Sequence, residues 1–344
     1  MSPRTFRAGD WVEVKSAAEI MATLDGEGRL DALPFMPEML QYCGQKFQVF
    51  KSAHKSCNTL GGGGIRQMPD AVHLDGLRCD GGSHGGCQAS CMLFWKAAWL
   101  KPAGAPAGQT GGDASAADPP AGAAAPVCTL ETLVRSSRTP ASDGAPEGYR
   151  CQATELSRAT APARWWDPRL YVRDLTSGNV RLWQLVRYGL QATMNNVLRL
   201  ARLRTYPDVR GLAAGKTPNT SLDLRAGEWV QVRSENEIMG TLNGKARNQG
   251  LLFDVEMLPY CGGTFRVLRR VERLVDERTG RMISPRKPCI ILDGVTCGGF
   301  LSRSRMFCPR SIYPYWHETW LQRAPAETPG SPPESTAARH DSRE

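Results

Sequence analysis

The sequence lacks several features that would assign it quickly. It contains no run of about 18 apolar residues, so no helix spanning a bilayer is expected. Its beginning, MSPRTFRAGDWVEV, has no apolar leader core, which predicts a cytoplasmic chain. No CxxC knuckle, Ser/His/Asp order, paired-carboxylate motif or dinucleotide-binding glycine fingerprint is present. Five histidines in 344 residues argue against a histidine-rich catalytic metal site. Cysteine, by contrast, is plentiful. Eleven cysteines in a cytosolic chain favour metal ligation or thiol chemistry over a disulfide framework.

What the chain does contain is a repeat. GDWVEVKSAAEIMATL, starting at Gly9, returns as GEWVQVRSENEIMGTL from Gly227. FMPEMLQYCGQKFQV returns as FDVEMLPYCGGTFRV, and VHLDGLRC as IILDGVTC. One offset of 218 aligns all three blocks, placing Cys261 on Cys43 and Cys297 on Cys79. Two copies of about 100 residues describe duplicated domains rather than a solenoid, which stacks several shorter units. The expected organisation is a first copy over 1–101, a linker over 102–126 and a middle region over 127–218. A second copy over 219–323 and a tail over 324–344 complete it. The linker, PAGAPAGQTGGDASAADPPAGAAAP, has no core former beyond Thr110, and like the polar tail it is expected to be disordered.

Within each copy the pattern is mainly β. DWVEVK alternates apolar and polar residues with Val12 and Val14 on one face, the period of a strand. Ser16 with Glu19 three residues later reads as a capping box opening a short helix. PEMLQY reads as a short helical turn, KFQVFKSAHK and AVHLDGLRC as the second and third strands, and FWKAAWLK as a closing strand or 3₁₀-plus-strand pair. The middle region contains one long helical pattern, within 178–204. There Leu182, Val186, Leu190, Met194 and Val197 recur at helical spacing, and Arg181, Arg187, Arg199, Arg202 and Arg204 surround them. That stripe is expected to dock the helix onto the repeats. The competing reading is a basic amphipathic helix making peripheral contact with a membrane surface.

GDWVEV, the VHLDG strand and the closing WL of each copy resemble small SH3-like barrels over about sixty residues. The fold class expected from this is mainly β: two SH3-like small barrels from an internal duplication, with a small α-helical middle region. A fold-level resemblance implies no function. The phrases YCG, PCIILDG and IYPYW also resemble those of an uncharacterised bacterial protein family, which supplies no mechanism.

The cysteines give the chemistry. Cys43, Cys57, Cys79 and Cys87 of the first copy face Cys261, Cys289, Cys297 and Cys308 of the second. Three pairs correspond directly. Cys57 ends the second strand and Cys289 precedes the third, positions that a hairpin brings side by side. Two four-thiolate sites follow as the expectation, with structural zinc as the cofactor and an iron–sulfur cluster as the alternative. CDGGSHGGCQASC adds His84 and Cys91 as possible extra ligands. The second copy has no counterpart of His84, which makes copy one the elaborated module. Cys128 and Cys151 lie in the middle region and either pair or pack as small hydrophobes.

Two aromatic sets are candidate binding surfaces: Trp165, Trp166, Asp167 and Arg169, and Tyr313, Tyr315 and Trp316. GLAAGKT (211–217) has three residues between its glycines where a phosphate loop needs four, and Pro218 follows, so it reads as a connector. The net charge of +9 permits nucleic-acid binding, but it is spread over the chain. The first functional expectation is a non-catalytic, metal-stabilised binding or scaffolding protein with a protein partner. The alternatives are a metal- or cluster-dependent enzyme or redox accessory protein using Cys79–Cys91, and a nucleic-acid-binding protein.

Overall fold

The computed structural model describes residues 5–60, 64–105, 128–141, 147–213, 215, 217–302 and 305–324. The expected disorder of the linker and of the tail falls almost wholly outside these residues. The chain is mainly β, built from several small antiparallel sheets with few helices. It divides into two compact units. One comprises Met1–Tyr206, Arg273–Ser284 and Gly298–Ile312; the other comprises Pro207–Glu272, Pro285–Cys297 and Tyr313–Glu344. Two segments of the second repeat therefore fold with the first unit.

In the first unit a five-stranded sheet runs in the order Trp95–Lys96, Ala71–Leu74, Lys46–Ser52, Trp11–Val14, Leu100–Pro102. Val12 and Val14 are both fully buried, as their alternation requires. Burying each contributes about 1.5–3 kcal/mol. Ser16 and Glu19 form the capping box: the Ser16 N–H donates to Glu19 Oε2 at 3.0 Å, and the Glu19 N–H donates to Ser16 Oγ at 3.3 Å. The second unit uses the same parts. Its four-stranded sheet runs Cys289–Leu292, Thr264–Val271, Trp229–Val232, Leu321–Arg323, and Ser234 with Glu237 repeats the capping box.

The aromatic cores match closely. The Phe35 and Trp99 rings lie 5.2 Å apart at 80°, and so do Phe253 and Trp320. Trp99 Nε1 donates to Thr23 Oγ1 at 3.1 Å, and Trp320 Nε1 donates to Thr241 Oγ1 at 3.0 Å. The polar edges of these two buried indoles are thus satisfied by equivalent threonines, Thr23 just beyond the helix Ala17–Met21 and Thr241 at the end of Glu235–Thr241. Both copies also carry a register shift at one place, between Val49 and Lys51 and between Val267 and Arg269.

Closed barrels were expected, and the sheets are open. The strands on either side of the 3₁₀ turn Ala97–Trp99 lie at opposite edges of the five-stranded sheet, and no ladder among the described residues joins them. Trp95–Lys96 spans only two residues and pairs only with Ala71–Leu74, which leaves its other edge unladdered.

The middle region up to Tyr206 folds with the first unit, and its remainder from Pro207 folds with the second. Ala161–Ala163 adds a strand to Ile65–Gln67. The buried Gln152 accepts from the Phe94 N–H at 2.7 Å and donates to the carbonyls of Phe94 and Pro34. Among the described residues of this region are four helices: Leu130–Ser136, Leu156–Ala159, Pro168–Thr176 and Leu182–Leu200. The last corrects the expected docking. Leu185, Tyr188 and Ala192 pack towards Val180, Met306 and Phe307, whereas Leu182, Val186, Leu190, Met194 and Val197 are 51–66 % exposed. The stripe that was to dock the helix faces solvent. The packed side uses aromatic contacts instead, with Tyr188 stacked on Phe300 at 4.9 Å.

Candidate metal centre

Three side chains from separate segments meet in the first unit. Glu38 sits in the 3₁₀ helix Pro37–Tyr42, where proline opens the turn. Cys79 follows the strand Ala71–Leu74, and its N–H donates to the Cys91 carbonyl at 2.8 Å. His84 ends the 3₁₀ turn Gly82–His84, flanked by Gly81 and Gly85 with φ of 81° and 60°. Gly81 is required by space as well as by φ, because a Cβ there would lie 2.0 Å from the Cys87 carbonyl oxygen. The glycine-rich sequence thus folds back on itself and turns His84 towards Cys79.

The donor atoms lie close together. Cys79 Sγ is 3.3 Å from Glu38 Oε1 and 3.8 Å from His84 Nδ1, and His84 Nδ1 is 3.5 Å from Glu38 Oε1. A tetrahedral zinc with ordinary bond lengths sets S–O and S–N separations of about 3.6 Å and an N–O separation of about 3.4 Å. The observed triangle fits one ion. The His84 and Glu38 side chains are 1 % and 4 % exposed. Glu38 Oε2 and His84 Nε2 are buried without a hydrogen-bond partner. Burial drives the Cys79 thiol well above its usual range, and the neighbouring Glu38 charge adds to this. Burial lowers the His84 pKa, against the pull of the Glu38 carboxylate. Without a cation the site therefore holds a neutral thiol and a neutral imidazole beside a carboxyl group. A divalent cation would instead stabilise the thiolate.

This is the one such cluster of His, Cys, Asp or Glu donors among the described residues, so neither expected thiolate quartet is brought together. Cys43 and Cys261 each follow a 3₁₀ turn and donate their N–H groups to Leu40 and Leu258 at 3.1 Å. They pack beside their respective hydrophobic cores, and burial pushes their thiols up to about 11 and about 12. Cys289 opens the strand Cys289–Leu292, its thiol likewise raised to about 11 by burial. Cys308 does not stay with the second repeat. It folds in the first unit, where its Sγ accepts the Cys57 N–H at 3.1 Å, while Cys261, Cys289 and Cys297 belong to the second unit.

Around that contact a wider thiol neighbourhood forms. Cys87 Sγ accepts the Val275 N–H at 3.3 Å. The Cys91 thiol, raised to about 12 by burial, feels Cys87, Cys151 and the Arg310 cation. Cys151 is raised to about 11, again by burial. Arg310 is 3 % exposed and pairs with Glu277 at 3.1 Å. Cys128 and Cys151 do not pair, and no cysteine among the described residues is in a disulfide.

The aromatic candidates have structural places. Asp167 caps the helix Pro168–Thr176 by accepting the Arg169 N–H at 3.0 Å. Trp166 is 57 % exposed beneath the Arg164 guanidinium, and the Trp165 carbonyl accepts the Tyr171 hydroxyl. Trp316 is fully buried in the core of the second unit and exchanges both backbone hydrogen bonds with Ile290, so it offers no surface. Tyr313 is buried and Tyr315 half-buried.

Sequence reasoning missed Glu38. Its signal is Glu256, which occupies the same place 218 residues on. Copy two thus keeps the Glu and Cys positions as Glu256 and Cys297, but has Ser302 where copy one has His84. A buried ionic group was also missed: Lys55 pairs with Asp174, and His54 Nε2 lies 3.2 Å from the other carboxylate oxygen. No spacing in the sequence announces it, because Asp174 is 119 residues from Lys55.

No family model matches the chain, and no curated protein or solved structure shows significant similarity to it.

Proposed function

We propose that this chain is a zinc-stabilised binding or scaffolding protein whose first module holds the metal through Glu38, Cys79 and His84. The observation that carries this reading is the donor triangle, with sides of 3.3, 3.8 and 3.5 Å, close to what one zinc ion requires. Burial of the ligands favours a structural ion over one meeting a substrate. Bound there, zinc would tie the Cys79–His84 loop to the turn carrying Glu38 and so stabilise a glycine-rich segment with little apolar side-chain mass. The second module, with Ser302 in place of histidine, is a metal-free copy. Both modules are proposed to be SH3-like. In support, a 3₁₀ turn leads into the last strand of each sheet, Leu100–Pro102 in one and Leu321–Arg323 in the other.

Metal analysis of protein purified without oxygen tests the reading. About one zinc per chain is expected, because one complete triad is present. A metal-free, folded protein would reduce the triangle to an ordinary hydrogen-bond network.

A second reading is favoured by the gathering of Cys57, Cys87, Cys91, Cys151 and Cys308 near the buried Arg310 and its half-buried partner Glu277. An iron–sulfur cluster takes four cysteines, and a buried arginine complements its anionic thiolate shell. Under that reading the chain is a redox accessory protein or an enzyme. Iron with acid-labile sulfide in the purified protein is its signature.

A further inference from the structure

The helix Leu182–Leu200 is turned the wrong way round for a helix that ends its packing inside this chain. At 1.5 Å per residue it runs about 28 Å. Its inner side contributes Leu185, Tyr188 and Ala192 to a small aromatic cluster. Its outer side presents Leu182, Val186, Leu190, Met194, Val197 and Leu200 at 51–87 % exposure, with Trp183 at 37 %. Placed at 100° per residue, these seven side chains fall within one arc of about 120°. Beyond the helix, Leu203 and Tyr206 are exposed at 60 % and 78 %. An outward apolar stripe of this length exceeds the scatter of single apolar residues normal on a protein surface.

Charge decides what covers it. Residues 175–207 contain no Asp or Glu and hold Arg181, Arg187, Arg199, Arg202 and Arg204, all exposed. Arg187 borders the apolar arc, and Arg202 and Arg204 stand beside Leu203 and Tyr206 at its end. A second copy of the chain is disfavoured, because pairing two such stripes would bring two sets of arginines together without an acidic residue from either helix. An anionic lipid surface meets both requirements. Its acyl boundary takes the leucines, valines and methionine, and its headgroups take the arginines.

We propose that Leu182–Leu200, with the segment up to Tyr206, seats the protein in the plane of an anionic membrane surface. This goes beyond the metal centre and does not depend on it. The helix lies on the membrane and does not cross it: no helix among the described residues is long and apolar enough to do so.

The test is co-sedimentation of the full chain with phosphatidylcholine vesicles, with and without phosphatidylserine. Binding is expected only to the anionic vesicles, and it should weaken steeply as salt is raised. Leu190→Gln with Met194→Gln should cut that binding by at least about tenfold. Both side chains are more than 60 % exposed, so the circular dichroism spectrum and melting temperature should not change. Arg187→Gln with Arg204→Gln, an independent variant, should weaken binding and flatten the salt dependence. No binding to anionic vesicles at low salt would overturn the proposal, as would wild-type binding by the Leu190/Met194 variant. A concentration-dependent dimer abolished by that variant would also overturn it, by assigning the stripe to a second copy. So would saturable capture of an acidic protein with no vesicle binding.

Discussion

Substituting Gly81 separates the effect of backbone strain from the effect of crowding at the metal centre. Gly81 and Gly44 both have positive φ, 81° and 76°. An alanine at either position pays for the left-handed backbone, about 1–2 kcal/mol. At Gly44 nothing lies within 4 Å of the new Cβ, so that strain is the whole cost. At Gly81 the Cβ would stand 2.0 Å from the Cys87 oxygen and 2.7 Å from its nitrogen. Both are backbone atoms and cannot swing aside, so Cys87 must move. Its N–H bond to the His84 carbonyl at 3.2 Å and the Val275 N–H bond to its sulfur at 3.3 Å are then lost or stretched. At about 1 kcal/mol each, these bring the Gly81→Ala cost to about 3–4 kcal/mol. For a unit of this size 1 kcal/mol shifts the melting temperature by about 2–4 °C. Gly81→Ala should therefore lower the melting temperature about twice as far as Gly44→Ala, by calorimetry at equal protein concentration. Equal shifts for the two variants would refute the account of how the loop holds His84.

Other perturbations test other parts of the structure. Thr23→Val and Thr241→Val each remove the acceptor of a buried indole N–H. Each should cost about 1–3 kcal/mol in denaturant unfolding, and a large effect at one site with none at the other would break the equivalence of the two cores. Asp174→Ala leaves the buried Lys55 ammonium without its carboxylate and should destabilise the first unit by about 3–5 kcal/mol. A neutral effect would mean that Lys55 is not charged in the fold. In the second unit, burial works against the Glu318 charge, but the Leu224 and Leu222 N–H groups and Arg270 outweigh it and hold the carboxyl below its usual range. A depressed carboxyl contributes stability above the unfolded value of about 4.3 and loses it as pH falls through the lower folded value. Glu318→Gln should cost about 1.5–3 kcal/mol at neutral pH and flatten the acid limb of the stability profile; an unchanged acid limb would remove Glu318 from the account.

Much of the β architecture was legible because the repeat doubles the signal. The alternation of Val12 and Val14, the Ser16/Glu19 capping box and the 3₁₀-plus-strand alternative for FWKAAWLK all correspond to elements in the structure, which adds a two-residue strand before that 3₁₀ turn. Closure was not legible, since local pattern specifies strands and not which edges meet. Cys79 and His84 stood out in the sequence, whereas Glu38 did not. It lies 41 residues upstream of Cys79, and a glutamate in a short turn carries no mark of ligation. Aligning the copies also misled: it assigned Cys308 to the second repeat, whereas the chain carries that segment into the first unit, beside Cys57 and 251 residues away from it in sequence. The long helix shows a different limit. Its periodicity defined an apolar face, but periodicity does not say what covers that face.

The asymmetry between the two copies gives the most direct test of the metal assignment. Zinc content should be measured on the wild type, Cys79→Ser and Cys297→Ser, with circular dichroism on each to confirm folding. The account predicts that Cys79→Ser loses the zinc, because it removes one donor of the Glu38–Cys79–His84 triangle. Cys297→Ser, at the matching position in the second copy, should retain it in full. Equal zinc in all three proteins, or equal loss in both variants, would contradict the assignment of the metal to the first module.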